Sequence, residues 1–262
     1  MADLLEGIVA RVREQLTTAP PDVPGLQDLA QGWTRRDFRA AIEAGPRPAL
    51  IAEFKRRSPS KGPLREDALL PEYCRAYAKG GASALSILTN SEFGGDLLDL
   101  RQARESVDLP LLRKDFIVDE RQLLEAAARG ADCVLLIARI VAPSQLVDLA
   151  LAARSLSLQT LVEIYDESEL DGALAAQPDL LGVNSRDLAT FAVDSSKFER
   201  VAARLPKGLP LVAESGVTSR DQAAAAHAAG ARAVLVGEAL MTAPDPAGKA
   251  HELVGVVHTR NA

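Results

Sequence analysis

Gly230-Ala-Arg-Ala-Val-Leu-Val-Gly237 has two earlier counterparts, Gly81-Ala-Ser-Ala-Leu-Ser-Ile-Leu88 and Gly130-Ala-Asp-Cys-Val-Leu-Leu-Ile137. Each opens with Gly-Ala at the end of an alanine-rich helical segment and runs into a continuous apolar strand. The openings lie 49 and then 100 residues apart. That is close to two and four copies of a unit of about 25 residues, enough for one strand, one helix and two short loops. Five further strand-like runs fill the gaps: Ala49–Lys55, Leu109–Lys114, Leu158–Glu163, Leu180–Asn184 and Leu209–Glu214. The eight carboxyl ends fall near 55, 88, 114, 137, 163, 184, 214 and 237, at intervals of 21 to 33 residues. Helix starts between them are marked by Asp119 with Gln122, Asp166 with Glu169 and Thr218 with Asp221, each at N-cap and N3 spacing. Continuous apolar strands alternating with helices mean a parallel sheet covered on its outside. Eight such units point to an α/β fold, a closed (β/α)8 barrel over residues 47–262. A doubly wound open sheet is the alternative; the count of eight favours the barrel.

Residues 1–46 read differently. Leu4, Leu5, Ile8, Val9 and Val12 recur at helical spacing, which predicts an amphipathic helix over 3–16. Pro20-Pro-Asp-Val-Pro24 breaks it, and a second helix is expected over 34–44 with Thr34 as N-cap. The segment is too short to bury a core of its own, so it is expected as an N-terminal helical extension packed on the barrel.

The bulk composition excludes several function classes. A net charge of −6 without a long basic run argues against nucleic-acid binding. The longest apolar runs are strand-sized, so no membrane span is expected. The start, Met1-Ala-Asp-Leu-Leu-Glu6, lacks the basic-then-apolar order of a signal peptide, and Cys74 and Cys133 lie in apolar segments without metal-ligand spacing. A cytoplasmic protein with reduced core thiols is expected.

In such a barrel the active site sits at the carboxyl ends of the strands. Reading those positions gives Glu53 and Lys55, Lys114, Glu163, Asn184, Glu214 followed by Ser215-Gly216, and Gly237 followed by Glu238. Glu53 and Lys55 are two residues apart and so share a face, opposite Ala52 and Phe54. One charge at a strand end could be chance; two lysines and three glutamates on one rim are not needed to build a core. Small residues after the last two strands (Ser215, Gly216, Gly237) are suited to bringing backbone N–H groups close to a phosphate, with Ser58 and Ser60 on the first loop as additional donors. The three histidines, His227, His251 and His258, lie away from strand ends, and no G-x-G-x-x-G follows a strand. Neither a histidine base, a metal site, nor a dinucleotide cofactor is expected; proton transfer rests on lysine and glutamate.

At this point the residues resemble a known family. Ala52-Glu-Phe-Lys-Arg-Arg-Ser-Pro-Ser-Lys-Gly62, Leu112-Arg-Lys-Asp-Phe-Ile-Val118, Leu161-Val-Glu163, Gly182-Val-Asn-Ser-Arg-Asp-Leu188, Glu214-Ser-Gly-Val217 and Val236-Gly-Glu-Ala-Leu-Met241 together resemble indole-3-glycerol phosphate synthase, the (β/α)8 lyase of tryptophan biosynthesis. The resemblance implies ring closure, decarboxylation and dehydration of 1-(2-carboxyphenylamino)-1-deoxyribulose 5-phosphate, with no cofactor. It implies Lys114 as general acid on the substrate carbonyl and Glu163 as the group handling dehydration. Lys55 contacts the substrate carboxylate or shares the acid role. Glu53 and Asn184 orient hydroxyls and lysines, and Glu214 stabilises developing charge or positions the ribulose chain. Phe93, Phe116 and Arg186 are expected to line the substrate site, and Leu135 and Leu188 to bed the anthranilate ring. Ser58, Ser215, Gly216, Gly237 and Glu238 are expected around the substrate and its phosphate. The only partner expected is this small phosphorylated molecule, bound by a monomer.

The chain departs from the family pattern after the second strand, where Leu88-Thr-Asn-Ser-Glu-Phe-Gly-Gly-Asp96 carries Asn90 at a usually acidic position and Asp96 where serine is common, and at Arg139, which replaces a small residue. Two other readings stay open on the residues alone. A Schiff-base aldolase would use a barrel lysine as nucleophile. A non-catalytic binder of a sugar phosphate would keep the barrel and lose turnover.

Overall fold

Eight parallel strands close into a barrel: β1 (Ala49–Phe54), β2 (Ala84–Leu88), β3 (Leu111–Lys114), β4 (Cys133–Ile137), β5 (Gln159–Ile164), β6 (Leu180–Asn184), β7 (Leu211–Glu214) and β8 (Ala233–Val236). A computed structural model of the protein describes residues 2–58, 61–184 and 195–255. Closure is made by β1, which pairs with β8 (Ala49 opposite Ala233) on one side and with β2 (Ile51 opposite Ala84) on the other. The strand ends expected from the sequence agree with the observed ones to within a residue. Helices cover the outside between successive strands, among them α4 (Leu70–Lys79), α5 (Leu98–Ser106), α6 (Glu120–Ala128) and α7 (Pro143–Ser155), with α8 (Leu170–Ala175), α9 (Ser195–Arg204), α10 (Arg220–Ala228), α11 (Glu238–Met241) and α12 (Pro246–Leu253) following. No described helix is long and apolar enough to cross a membrane.

Two-residue alternation divides each strand between two cores. Leu50, Ala52, Phe54, Leu85, Ile87, Val134, Val162 and Leu181 point outward and pack with the helices. Ala49, Ile51, Leu112, Cys133, Leu135, Leu161, Val212 and Leu235 point inward and fill the barrel. Both faces are apolar, which is why the strands read as continuous hydrophobic runs. Each fully buried Leu or Ile contributes about 1.5–3 kcal/mol. The inward set stops one layer short of the carboxyl-end rim, and there the same alternation places Glu53, Lys114, Glu163, Asn184 and Glu214.

The N-terminal segment covers both ends of the barrel. Helix α1 (Ala2–Thr18) buries Ile8, Val9, Val12 and Leu16 in the cluster that holds Val118, Ile137, Ile140 and Tyr165 at the carboxyl-end mouth. Arg11 pairs with Glu92 at 2.8 Å, and Arg121 donates to the Leu16 carbonyl at 3.1 Å. Helix α3 (Phe38–Ala44) buries Phe38 and Ile42 completely at the opposite end, against β1 and β2. Polar contacts reach the amino ends of three strands from the same segment. The Arg36 N–H donates to Asp132 (2.7 Å), the Arg39 N–H to Gln159 (3.0 Å), and Arg232 to the Pro46 carbonyl (2.8 Å).

Three sequence expectations need correction. The second expected helix starts at Phe38 rather than 34, because Asp37 is the cap (its Oδ1 accepts from the Ala40 N–H at 2.8 Å), whereas the Thr34 carbonyl is taken by Arg104. An additional helix, α2 (Val23–Ala30), follows the proline run. Pro24 lies in its first turn, where a missing N–H costs nothing, and Asp22 caps it. The cap before α10 is Ser219, not Thr218, which instead bonds Gln222. The capping box at Asp119 and Gln122 forms in full, and Asp166 caps a short 3-10 turn ahead of α8.

Candidate active site

Strand alternation and parallel register bring the charged rim residues together. Lys114 Nζ lies 3.3 Å from Glu163 Oε2 and 3.5 Å from Glu214 Oε2, so one ammonium bridges two carboxylates that are almost wholly buried. Lys55 Nζ lies 2.9 Å from Glu53 Oε1. This pair is not a solvated surface bridge: its carboxylate is 4% exposed. Asn184 Nδ2 donates to Glu163 Oε1 (3.3 Å) and to the Tyr165 hydroxyl (3.0 Å), while Asn184 Oδ1 accepts from the Ser215 hydroxyl (2.9 Å).

Two glycines make room for this cluster. A Cβ at Gly182 on β6 would run into Glu214 Oε1, and one at Gly237 would run into Glu53 Oε1. Ser215 and Gly216 both adopt left-handed backbone, φ 66° and 81°. Glycine takes that conformation freely, and the turn lines the cleft beside Gly237 and Glu238.

Charge and burial set the protonation states. Burial alone would lower the Lys114 pKa, but the carboxylates of Glu163, Glu214 and Glu53 outweigh it and hold the ammonium above its ordinary value. Burial would raise Glu163, yet Lys114 and hydrogen bonds from its neighbours outweigh it and keep this carboxyl below the usual range. Glu214 goes the other way: burial, and next the negative charge of Glu163, push it well above the carboxylate range despite Lys114. The cluster therefore sets an ammonium beside one carboxyl that loses its proton readily and one that holds its proton more tightly than an ordinary glutamate.

A buried network fixes the strand that carries Lys114. Asp115 accepts from Thr89 Oγ (2.5 Å), Asn90 Nδ2 (3.2 Å), Arg113 (3.0 Å) and the Phe116 N–H (2.8 Å). These donors, Arg113 foremost, hold the Asp115 carboxyl below its ordinary pKa against burial. Phe116 is thereby set beside Phe93, their rings stacked at 6.0 Å between centroids and 28° between planes. With Leu135 below and Leu4, Leu5 and Ile8 of α1 above, these rings form the apolar side of the cleft.

Of the residues expected from the sequence, the cleft gathers Glu53, Lys55, Lys114, Glu163, Asn184, Glu214, Phe93, Phe116, Leu135, Ser215, Gly216, Gly237 and Glu238. Ser58 is not among these lining residues. Arg56 is pinned by Asp99 (2.6 and 3.1 Å) and by the Gly94 carbonyl (3.1 Å), and the chain then forms a small hairpin in which Ser58 is buried. Ser58 there borders a separate depression with Arg57, Gly62, Ser91 and Glu92. Ser60, Arg186, Leu188 and His258 lie outside the described residues. The departures at Asn90, Asp96 and Arg139 do not line the cleft. Asn90 and Asp96 cap backbone N–H groups of the loop after β2, those of Glu92 and Leu98, and Arg139 pairs with Glu169 at 2.7 Å. Sequence reasoning missed Tyr165. Tyr165 stands two residues after Glu163, the same spacing that marks Glu53 and Lys55, so its side was legible.

The sequence model of the indole-3-glycerol phosphate synthase family matches residues 5–253. An indole-3-glycerol phosphate synthase 2 of Streptomyces coelicolor is 46% identical over 259 residues, covering 97% of this chain and all of its own length. The synthase of Albidiferax ferrireducens is 45% identical over 253 residues, covering 94% of this chain and 96% of its own. Among solved structures, a 3-hexulose-6-phosphate synthase superposes with a TM-score of 0.66 at 17% identity, over 80% of this chain and 100% of that one. That likeness extends to the fold alone. Similarity along nearly the full length, together with the lysine–glutamate rim, leads to one conclusion: the chain belongs to the indole-3-glycerol phosphate synthase family.

Proposed function

We propose that the cleft closes the pyrrole ring of indole, converting 1-(2-carboxyphenylamino)-1-deoxyribulose 5-phosphate to indole-3-glycerol phosphate with loss of carbon dioxide and water. The observation that carries the assignment of roles is the placement of Lys114 between Glu163 and Glu214. A lysine held as ammonium is a proton donor, so Lys114 protonates the substrate carbonyl oxygen as the ring carbon attacks. Carbon dioxide then leaves the ring position where the new bond formed. In the second stage the hydroxyl departs as water with a proton from Glu214, whose raised pKa suits it as acid, while Glu163, the ionised carboxylate, takes the ring proton whose loss restores aromaticity.

The remaining residues bind and orient. Lys55, paired with Glu53, faces the substrate carboxylate. Asn184 and Glu214 hold the ribulose chain. The stacked Phe93 and Phe116 with Leu135 receive the anthranilate ring, and Arg186 and Leu188 join this set by resemblance. The phosphate goes to the turns at Ser215, Gly216, Gly237 and Glu238, which line the carboxyl-end cleft after the last two strands, the usual phosphate site of such barrels. Ser58, on the hairpin after β1, joins this set by resemblance.

The held ammonium speaks against the Schiff-base reading, since a nucleophilic amine must be unprotonated. Among the described residues, the large exposed apolar side chains Leu29, Leu69, Leu98 and Leu151 sit on separate segments, which supports a monomer, and we place it in the cytoplasm. Indole fluorescence with the purified protein and the carboxyphenylamino substrate tests the proposal. Product formation is expected. A mass adduct trapped by borohydride, without indole, would put the aldolase reading in its place.

A further inference from the structure

Arg139 sits where its guanidinium covers the Tyr165 ring, 4.1 Å from the centroid. Glu169 holds both partners. Its Oε1 accepts from Arg139 Nε (2.9 Å) and Nη2 (2.7 Å), and its Oε2 accepts from the Tyr165 backbone N–H (2.8 Å). The far end of the tyrosine reaches the cleft, where its hydroxyl accepts from Asn184 Nδ2 (3.0 Å). The same amide nitrogen donates to Glu163 Oε1 (3.3 Å), and the amide oxygen accepts from Ser215 (2.9 Å). Two acceptors for its N–H groups and one donor for its oxygen leave the Asn184 amide a single orientation.

We propose that Arg139, Tyr165 and Glu169 form a clamp that fixes the Asn184 amide and, through it, the Glu163 carboxylate, making Tyr165 and Arg139 positioning residues of the reaction. The clamp converts an exposed ion pair after β4 into control of a group at the end of β5. An arginine is suited to this: its planar guanidinium stacks on an aromatic ring and forks onto a carboxylate at once. The groups that face Glu163 are Lys114 of β3, Glu214 of β7, Asn184 of β6 and the Tyr165 hydroxyl, with Glu53 and Lys55 of β1 further along the rim and Arg139 behind the ring. Tyr165 and Asn184 are among those that keep Glu163 ionised.

The inference rests on the reaction proposed above for its kinetic readout, but not for its structural one. Tyr165→Phe keeps the ring and removes the acceptor. Its kcat is expected to fall about tenfold, the loss for one buried donor left unpaired. KM should stay within about twofold if binding contacts are untouched, and the acid limb of the kcat profile should move to higher pH. Arg139→Leu should lose about threefold in kcat, the scale of one stacked cation, and Arg139→Lys should recover part of it. Carboxyl 13C NMR of Glu163, assigned with Glu163→Gln, reads the clamp without turnover: the Glu163 titration should shift upward in Tyr165→Phe. Absence of indole from the unaltered protein would remove the reaction, and the NMR shift would still decide the clamp. Unchanged kcat and an unchanged Glu163 titration in a folded Tyr165→Phe protein would overturn it.

Discussion

Replacing Lys114 with glutamine keeps a side chain of similar reach and removes the charge that two buried carboxylates share. With Lys114 Nζ 3.3 Å from the Glu163 carboxylate and an effective dielectric of about 20, their attraction is about 5 kcal/mol before desolvation is subtracted. Removing one member of a buried pair typically costs about 3–5 kcal/mol, since the remaining charge stays buried without compensation. The carboxyls can escape that cost by taking up protons. In the variant their folded pKa values lie above the unfolded value of about 4.3, so stability is lost as pH rises through that window. In the unaltered protein the lowered Glu163 pKa has the opposite effect, giving stability present above the unfolded value and lost as pH falls. Urea midpoints should therefore show Lys114→Gln less stable by about 3 kcal/mol at pH 8, with most of the difference gone near pH 5. Indole formation at pH 7.5 should fall at least about a thousandfold, toward the upper end of what one general acid supplies. A stability penalty independent of pH would show that the carboxylates do not depend on this ammonium. Near-normal turnover would remove Lys114 as the proton donor.

Other perturbations separate the parts of the site. Glu163→Gln should leave ring closure and decarboxylation running while dehydration stalls, so a single turnover should release more carbon dioxide than indole; equal yields would argue against Glu163 in the second stage. Gly237→Ala puts a methyl group where Glu53 Oε1 now lies, and displacing Glu53 from Lys55 should lower kcat/KM by more than about tenfold with the melting temperature little changed. At the opposite end of the barrel, Asp132 accepts from Arg104 (2.9 and 3.0 Å), the Arg36 N–H and the Leu111 N–H. Asp132→Ala leaves Arg104 buried and unpaired, at about 3–5 kcal/mol of stability measured in urea, with kcat unchanged at 25 °C.

The barrel was legible because its signal is repeated. Eight apolar runs of strand length, three of them opening with Gly-Ala, constrain one another far more than a single run would. The rim charges were legible for a related reason: Glu53, Lys114, Glu163 and Glu214 each end a run that has no packing use for them. Local signals decided by context were harder. Pro24 reads as a breaker in isolation and is a tolerated first-turn residue in α2. Thr34 and Thr218 have capping side chains, but Asp37 and Ser219 lie where the backbone actually turns. The anchor of Arg56 on Asp99, 43 residues away, which shapes the start of the loop carrying Ser58, has no local signal at all. Tyr165 carries the two-residue spacing that marked other rim groups, yet its meaning depends on Arg139 and Glu169 folding over it.

The protonation pattern gives the proposed reaction a division of labour between two carboxyls that the sequence makes look equivalent. Glu163 and Glu214 are both buried and both touch Lys114, so one ammonium cannot neutralise two anions in so dry a site. The asymmetry comes from the neighbours: Asn184 donates a hydrogen bond to Glu163, while Gly182 lets Glu214 lie against bare backbone. Glu163 is therefore the readier of the two to carry the charge and Glu214 the one that holds its proton more tightly. Two acids whose pKa values are pushed apart in this way are assigned their roles by environment rather than by residue type. In the second stage a base must accept a proton while a hydroxyl is expelled, and an anion beside a neutral acid offers both without help from water. The clamp on Tyr165 acts on the member of the pair that must stay ionised.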